Sequence, residues 1–357
     1  MPAENCNTLV FVGFVEVSIL TSSEPSVRAF SAEPSWRGEV RDAVRDAGEL
    51  CRRLQLPEDL AGSAAAAAGQ FPVFVPPSYL SRIQLGNPQD PLLKQVLPVS
   101  EETAQVEGYV ADPVGDAAAA LQPGVLQKYA GRALLIATGA CAVHCRYCFR
   151  RHFPYDEAPH GAVEWESALD SIAADSSIQE VILSGGDPLM LVDGQLAGLV
   201  ERIAAIPHVD RLRVHTRLPV MIPSRVTDEL FAWLTGTRLT PVMVIHANHA
   251  QELDDQVASS LQRLQQAGAM LLNQAVLLRG VNDSTDTQAE LCQRLIELRV
   301  VPYYLHQLDR VAGAAHFEVP VEAGRQIVKE LRARLPGYAV PRYVQEIPGE
   351  LNKVVLA

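Results

Sequence analysis

From Ala133 onward the apolar residues fall into short runs separated by amphipathic stretches. Strand-like runs cover Ala133–Ala137, Glu180–Leu183, Leu212–His215, Val242–His246, Met270–Leu277 and Val301–Leu305. Helical spacing follows each of them, over Trp165–Ala174, Gly194–Ala205, Thr227–Leu234, Leu253–Ala267, Gln288–Leu298 and Val321–Leu335. Short apolar runs read as buried strands, and apolar positions three and four apart read as one helix face. Six strand–helix units in strict alternation predict an α/β fold with a parallel sheet and right-handed crossovers. Six such units fit a partial (β/α)6 barrel, in which chemistry sits at the C-terminal ends of the strands.

The pattern before Ala133 is less regular. Ser35 is placed to cap a helical pattern carrying Trp36, Val40, Val44 and Leu50. Ala64 to Ala68 form an alanine tract between Gly62 and Gly69, read as a short helix or linker. Pro72, Pro76, Pro77, Pro88, Pro91 and Pro98 then rule out a long helix. Residues 31–125 are therefore expected to form a small helical and irregular N-terminal domain, and residues 126–357 the barrel with its C-terminal segment. Residues 1–30 read as an extension of uncertain order or an accessory strand. Leu9 to Leu20 is apolar, but Glu4 precedes it without any Lys or Arg, and Glu16 interrupts it. That run is too short to span a bilayer, so no membrane partner is expected.

Composition narrows the function classes. The chain has 357 residues, 48% hydrophobic and 20% charged, enough for a substantial core. Its formal net charge of −12 argues against a nucleic-acid partner, which needs a basic surface. The 6 cysteines do not form an extracellular disulfide framework, and clustered thiolates holding iron need a reducing compartment, so the cytoplasm is expected.

Cys141-Ala142-Val143-His144-Cys145-Arg146-Tyr147-Cys148 places three thiols on one short loop after the first strand. Three thiolates can hold three irons of a four-iron cluster and leave the fourth open to a substrate. The same residues also read as a Cys3His zinc site with His144 or His152. Structural zinc usually takes two short hooks, and Cys6, Cys51 and Cys292 are isolated. The cysteine loop resembles the radical S-adenosylmethionine superfamily, which implies a [4Fe-4S] cluster at Cys141, Cys145 and Cys148, with Tyr147 near the adenine of S-adenosyl-L-methionine. Ser184-Gly185-Gly186-Asp187-Pro188 follows the second strand; alone it reads as a strand-to-helix turn. One unit after the cysteines, its glycines let backbone approach a ligand, here the amino group of S-adenosylmethionine.

Longer motifs narrow the resemblance. The cysteine loop extended by Phe149-Arg150-Arg151, Leu183 to Leu189, Leu272 to Asp283, and Pro302-Tyr303-Tyr304-Leu305-His306 are together similar to the lysine 2,3-aminomutase family. Within it they most resemble the bacterial branch that makes β-lysine for elongation factor P. The similarity runs from about Trp36 to Lys353. It implies a second cofactor, pyridoxal 5′-phosphate, on Lys353, with Lys128 and Arg132 as the basic pair for its phosphate. It also implies that Arg150 grips the substrate carboxylate, since a planar fork suits a carboxylate. Asp309 and Glu346 take the positions of the carboxylates that receive the substrate's side-chain ammonium. His246 and Asn248 match a segment near the adenosyl group, although His246 to His249 also reads as a capping and turn cluster. Taken singly, Lys353, Lys128, Arg132 and Arg150 would read as exposed charges.

The resemblance implies conversion of L-α-lysine to (R)-β-lysine, an external electron donor, a functional link to elongation factor P and its lysyl-transferring ligase, and a possible homodimer. Departures qualify it. Glu346 stands where the free-lysine enzymes usually carry aspartate, and Glu318 where they have arginine. Ser284 stands where they can carry a zinc-binding cysteine, so no zinc is expected. Only Gly349 remains of the glycine run before Lys353, and Val354-Val355 replace Thr-Pro, which bears on how Lys353 is anchored. The alternatives are an aminomutase for another pathway or amino acid, and a non-catalytic iron–sulfur or zinc module.

Overall fold

The computed structural model describes residues 35–69, 71–155 and 165–357. The expectation for residues 1–30 lies outside the described residues. One sheet organises the chain: β1 (Ala120–Gln122), β2 (Val125–Leu126), β3 (Arg132–Thr138), β4 (Glu180–Gly185), β5 (Arg211–Thr216), β6 (Thr240–Ile245), β7 (Met270–Val276), β8 (Val301–His306), β9 (Arg342–Gln345) and β10 (Val354–Val355). Spatial order equals chain order. Strands β3 to β9 are parallel, while β1, β2 and β10 extend the two ends antiparallel. The six strands expected from the apolar runs are all present, in an open, partial barrel. A seventh parallel strand, β9, follows the last long helix.

The register explains where the cavity forms. Leu135 pairs with Leu183, Leu183 with Val214, Val214 with Met243 and Met243 with Leu271. These residues form one buried layer, facing the helices. Side chains alternate faces along a strand, so Leu134, Ile182 and Arg213, one position back, point into the barrel and line its cavity. The helices between strands are Trp165–Ala174, Asp193–Ala204, Asp228–Thr235, Asp255–Gln266, Thr285–Glu297 and Val321–Arg334. Each expected helix appears, within a residue or two at most ends; the fifth starts three residues early because Ser284 caps it, accepting from the Thr287 amide.

The N-terminal residues form helices Trp36–Arg41, Ala47–Arg53 and Glu58–Ala68, then four-residue turns at Pro77–Leu80 and Pro91–Lys94. Ser35 caps the first, its hydroxyl accepting from the Gly38 amide at 3.2 Å. The alanine tract closes the third helix, and the prolines confine the following segment to single turns. Leu50, Leu54, Leu92 and Leu93 belong to the same apolar cluster as Leu135 and Tyr343. Among the described residues no helix is long and apolar enough to cross a membrane.

Candidate active site

A cavity of about 610 Å³ opens at the C-terminal ends of the parallel strands. Two-residue periodicity brings side chains to it from five of the parallel strands: Arg132 and Leu134 from β3, Ile182 and Ser184 from β4, Arg213 and His215 from β5, Gln274 and Val276 from β7, Tyr304 and His306 from β8. The loops after the strands supply Cys141, Cys145, Tyr147, Cys148, Arg150, Gly185, Gly186, Asp187, His246 and Asp309. Lys128, Glu346 and Lys353 complete the wall. Every site residue expected from the sequence lines this cavity except Asn248, which is buried behind it.

The cysteine loop is held by a buried charge cluster. Glu102 receives Arg146 Nε at 2.8 Å and Arg151 Nη2 at 2.8 Å, and both guanidinium groups lie over the Phe71 ring. Arg217 Nη1 donates to Cys145 Sγ at 2.7 Å. Burial pushes the thiols of Cys141 and Cys148 up, Cys148 to about 11, so a bound cation has to hold them as thiolates. Among the described residues no three His, Cys, Asp or Glu side chains converge tightly enough for a single metal ion. A cubane takes one thiolate per corner and so spreads its ligands wider than one ion does.

Tyr147 is fixed from several sides. Its hydroxyl meets His246 Nε2 at 3.1 Å, receives Asn248 Nδ2 at 2.7 Å and lies 3.3 Å from Gln95 Oε1. Burial and the Arg217 charge hold His246 neutral, down to about 3. Asn248 thus supports the ring rather than facing the cavity. His249 caps the turn Ala250–Glu252, its Nδ1 accepting from the Gln251 amide at 3.1 Å. The capping role and the site role of this segment therefore fall on different residues.

The glycine segment lines the cavity and also packs against the cysteine loop. Gly186 N donates to Thr138 O at 2.8 Å and Asp187 N to Ala140 O at 2.7 Å. Gly185 has φ +130°, and a Cβ there would lie 2.3 Å from Thr138 O; one on Gly186 would lie 2.3 Å from Ala140 O. Glycine is needed because the β4 loop packs directly on the start of the cysteine loop. Asp187 accepts from Thr216 Oγ1 at 2.7 Å and Arg217 N at 2.7 Å, tying β4 to β5; burial pushes it up to about 6.

A second network of charges lines the same cavity. Asp116, a residue the sequence did not single out, accepts from Arg150 Nε at 2.7 Å and pairs with Lys128 Nζ at 2.7 Å. Arg150 Nη1 donates to Ser184 Oγ at 3.2 Å, and its guanidinium lies 4.9 Å from the Phe149 ring centroid. Glu346 pairs with Lys353, accepts from Tyr129 OH at 2.6 Å and lies 3.6 Å from Lys128 Nζ. Burial opposes the Glu346 charge, but Lys353 and these donors hold it below the usual carboxylate range. Burial pushes Asp309 up to about 7, although Lys353 pulls it down. Arg132 stacks its guanidinium over Tyr129, and its Nε is buried without a hydrogen-bond partner. His215 Nε2 and His306 Nε2 are likewise buried and unpartnered.

The altered segment around Lys353 is anchored by backbone pairing. Val354 pairs with Gln345 and Val355 with Val344, so β10 holds Lys353 beside Glu346. Leu356 N donates to Tyr343 O at 2.8 Å. Sequence reasoning missed Asp116, Tyr129, His215, His306, Arg213 and Arg217. A signal existed for two of them: in Arg211-Leu-Arg213-Val-His215-Thr, polar residues alternate with apolar ones inside an otherwise buried strand.

Comparison with known proteins agrees with this geometry. Residues 130–211 match the family of 4Fe-4S single cluster domains. The L-lysine 2,3-aminomutase of Haemophilus influenzae is 47% identical over 94% of this chain and 98% of its own length. That of Escherichia coli is 43% identical over 95% of this chain and 97% of its own. That of Clostridium subterminale is 35% identical over 88% and 76%. A radical SAM methyltransferase of known structure from Sphaerobacter thermophilus overlaps 62% of this chain and 68% of its own at 18% identity and a TM-score of 0.43, too distant to bear on the chemistry. The chain belongs to the L-lysine 2,3-aminomutase family and is an isomerase of that type.

Proposed function

We propose that this protein is a radical S-adenosylmethionine, pyridoxal phosphate-dependent aminomutase that converts L-α-lysine to (R)-β-lysine, with Cys141, Cys145 and Cys148 as the cluster ligands. The observation that carries the reading is that three thiols, Lys353, Arg150, Asp309 and Glu346 all line one cavity. The donor set fits both groups. Three cysteines on one loop suit a cluster with one open iron. For pyridoxal phosphate, Lys353 supplies an amine, and Arg132 with Lys128 supplies positive charge for the phosphate. The unpartnered Nε2 atoms of His215 and His306 offer polar contacts for a ring. Lys128 is already shared between Asp116 and Glu346, which makes Arg132 the freer cation of the pair.

When bound, the cluster supplies the electron that cleaves S-adenosylmethionine, and pyridoxal phosphate holds the migrating nitrogen and spreads the unpaired electron. The protein positions the rest. Arg150, fixed by Asp116 and Ser184, directs its remaining guanidinium edge at the substrate carboxylate. Asp309 and Glu346 receive the ε-ammonium, and together they repel an anionic side chain. Once Lys353 is engaged, Glu346 is free to change partners. Nitrogen moves from C2 to C3 while one hydrogen moves from C3 to C2, so the reaction is a balanced isomerisation. Holding C3 beside the cleaved adenosyl group is chiefly a matter of orientation.

The link to elongation factor P rests on Glu346, Glu318 and the segment around Lys353, which depart from the free-lysine enzymes in this chain's own way. Anaerobic protein reconstituted with iron, sulfide and pyridoxal phosphate, given L-lysine, S-adenosylmethionine and a reductant, should form (R)-β-lysine, read by chiral chromatography. Turnover of another amino acid in preference to lysine would overturn the substrate. The mass of elongation factor P from cells lacking this protein tests the acceptor; an unchanged mass would overturn that part.

A further inference from the structure

We infer that Arg217 sets the reduction potential of the cluster through a charged hydrogen bond to Cys145 Sγ; this rests on the proposed use of the three cysteines as cluster ligands. The contact is built from many directions. The Arg217 backbone amide is tied to Asp187 at 2.7 Å, where β5 ends. Its Nη1 reaches Cys145 Sγ at 2.7 Å, while its Nη2 donates to Gln95 Oε1 at 2.7 Å and Glu252 Oε2 at 2.9 Å. The guanidinium carbon lies 5.8 Å from the Tyr79 ring centroid and 5.6 Å from that of Tyr147. Arg217 is 6% exposed and Glu252 fully buried, so the cation is held at the cavity wall by a buried carboxylate.

The arrangement is asymmetric. Arg146 and Arg151 spend their guanidinium groups on Glu102 and on carbonyls of Phe71 and Gly313, and Arg150 on Asp116 and Ser184. Among the described residues Arg217 alone brings a charged donor within hydrogen-bond reach of a cysteine sulfur of this loop. Hydrogen bonds to sulfur and nearby charge set the potential of an iron–sulfur cluster. A cationic donor withdraws density from the thiolate and favours the reduced cluster, which carries one more negative charge. Burial strengthens the effect, because little solvent screens it. Glu252 opposes it from behind, so the potential reports the balance of the pair. Arg217 is thus a positioning and tuning residue, acting through Cys145.

The test is potentiometric titration of the reconstituted cluster, followed by electron paramagnetic resonance, with iron and sulfide measured in each sample. Arg217→Gln should disfavour reduction on the order of tenfold, which for a one-electron couple is about 59 mV downward. Glu252→Gln should move the potential the opposite way, because it leaves Arg217 unopposed. A purely structural role has no reason to give opposite signs. If Arg217→Gln fails to fold with Glu252 left buried and unpaired, the double variant Arg217→Gln/Glu252→Gln removes the pair as a unit and should still titrate below the parent. Potentials equal to the parent's in cluster-loaded variants would overturn the inference. Absence of a four-iron cluster in the parent protein itself would instead overturn the ligand assignment beneath it.

Discussion

The two ends of the cavity hold their charges in different ways. At the cysteine end the cations are locked: Arg146 and Arg151 share Glu102, and Arg217 is gripped by Glu252 and Gln95 behind the wall. At the lysine end Arg150 is fixed by Asp116 and Ser184, while Lys128 is shared between Asp116 and Glu346, and Lys353 pairs with Glu346. The first kind of network preorganises a loop for a permanent inorganic group. On the proposed reading the second, in which Lys128 and Glu346 each have two charged partners, can give up one of them to a substrate with a carboxylate and two amino groups.

Breaking the locked end should have the largest effects. Cys141→Ala, Cys145→Ala or Cys148→Ala should each abolish S-adenosylmethionine cleavage, measured as 5′-deoxyadenosine released under reductant; cleavage at the parent rate in any of them would remove that cysteine from the ligand set. Glu102→Ala leaves two buried guanidinium groups without their carboxylate, and breaking such a pair costs about 3–5 kcal/mol. Denaturant unfolding should show a loss of that size, and a change under 1 kcal/mol would mean the cluster around Glu102 does not hold the loop.

At the exchangeable end the effects should be smaller and specific to substrate. A hydrogen bond to a charged group is worth about 1.5–3 kcal/mol, so Asp309→Asn should cost on the order of ten- to a hundredfold in kcat/KM for lysine. The pH dependence has a definite sign. Burial holds the Asp309 carboxyl neutral up to about pH 7, whereas the proposed contact with the ε-ammonium needs its charged form. Lysine kcat/KM should therefore rise as pH rises through 7, with a proton released on binding, and Asp309→Asn should flatten that limb. For folding the same shift runs the other way. A carboxyl raised in the folded state binds protons that the unfolded chain does not, so stability falls as pH climbs from the unfolded value towards 7. Tyr129→Phe removes one hydrogen bond to Glu346 and should cost only about 1 kcal/mol, several-fold in KM; an effect as large as that of Asp309→Asn would give Tyr129 a direct contact with substrate.

The two ends also differed in how far the sequence revealed them. The strands and helices of the barrel were legible because each is an apolar run or an amphipathic stretch of ordinary length. Strand β9 was not, since Arg342-Tyr-Val-Gln345 is short and follows Pro341 closely. The β1–β2 hairpin escaped although Pro123-Gly124 marks its turn, with Gly124 at φ +81°. Cysteine spacing on one loop exposes the cysteine end to inspection. Asp116, Arg217, Glu252 and Gln95 carry no such local mark, because each is a single polar residue whose partner lies far away in sequence. The glycines after β4 were noticed for a close approach to a ligand, and the structure adds a second reason for them: neighbouring backbone excludes a side chain there.

On the proposed reading the cysteine end and the lysine end act on one molecule in one cavity. Transfer of deuterium from L-lysine labelled at C3 to 5′-deoxyadenosine, in reconstituted anaerobic protein with S-adenosylmethionine and reductant, tests this most directly. The parent protein should carry label into the adenosyl methyl group and into C2 of β-lysine. Lys353→Ala should lose that transfer while keeping its cluster and a residual, unlabelled cleavage of S-adenosylmethionine. Undiminished label transfer in Lys353→Ala would mean that the cysteine end works without the lysine end.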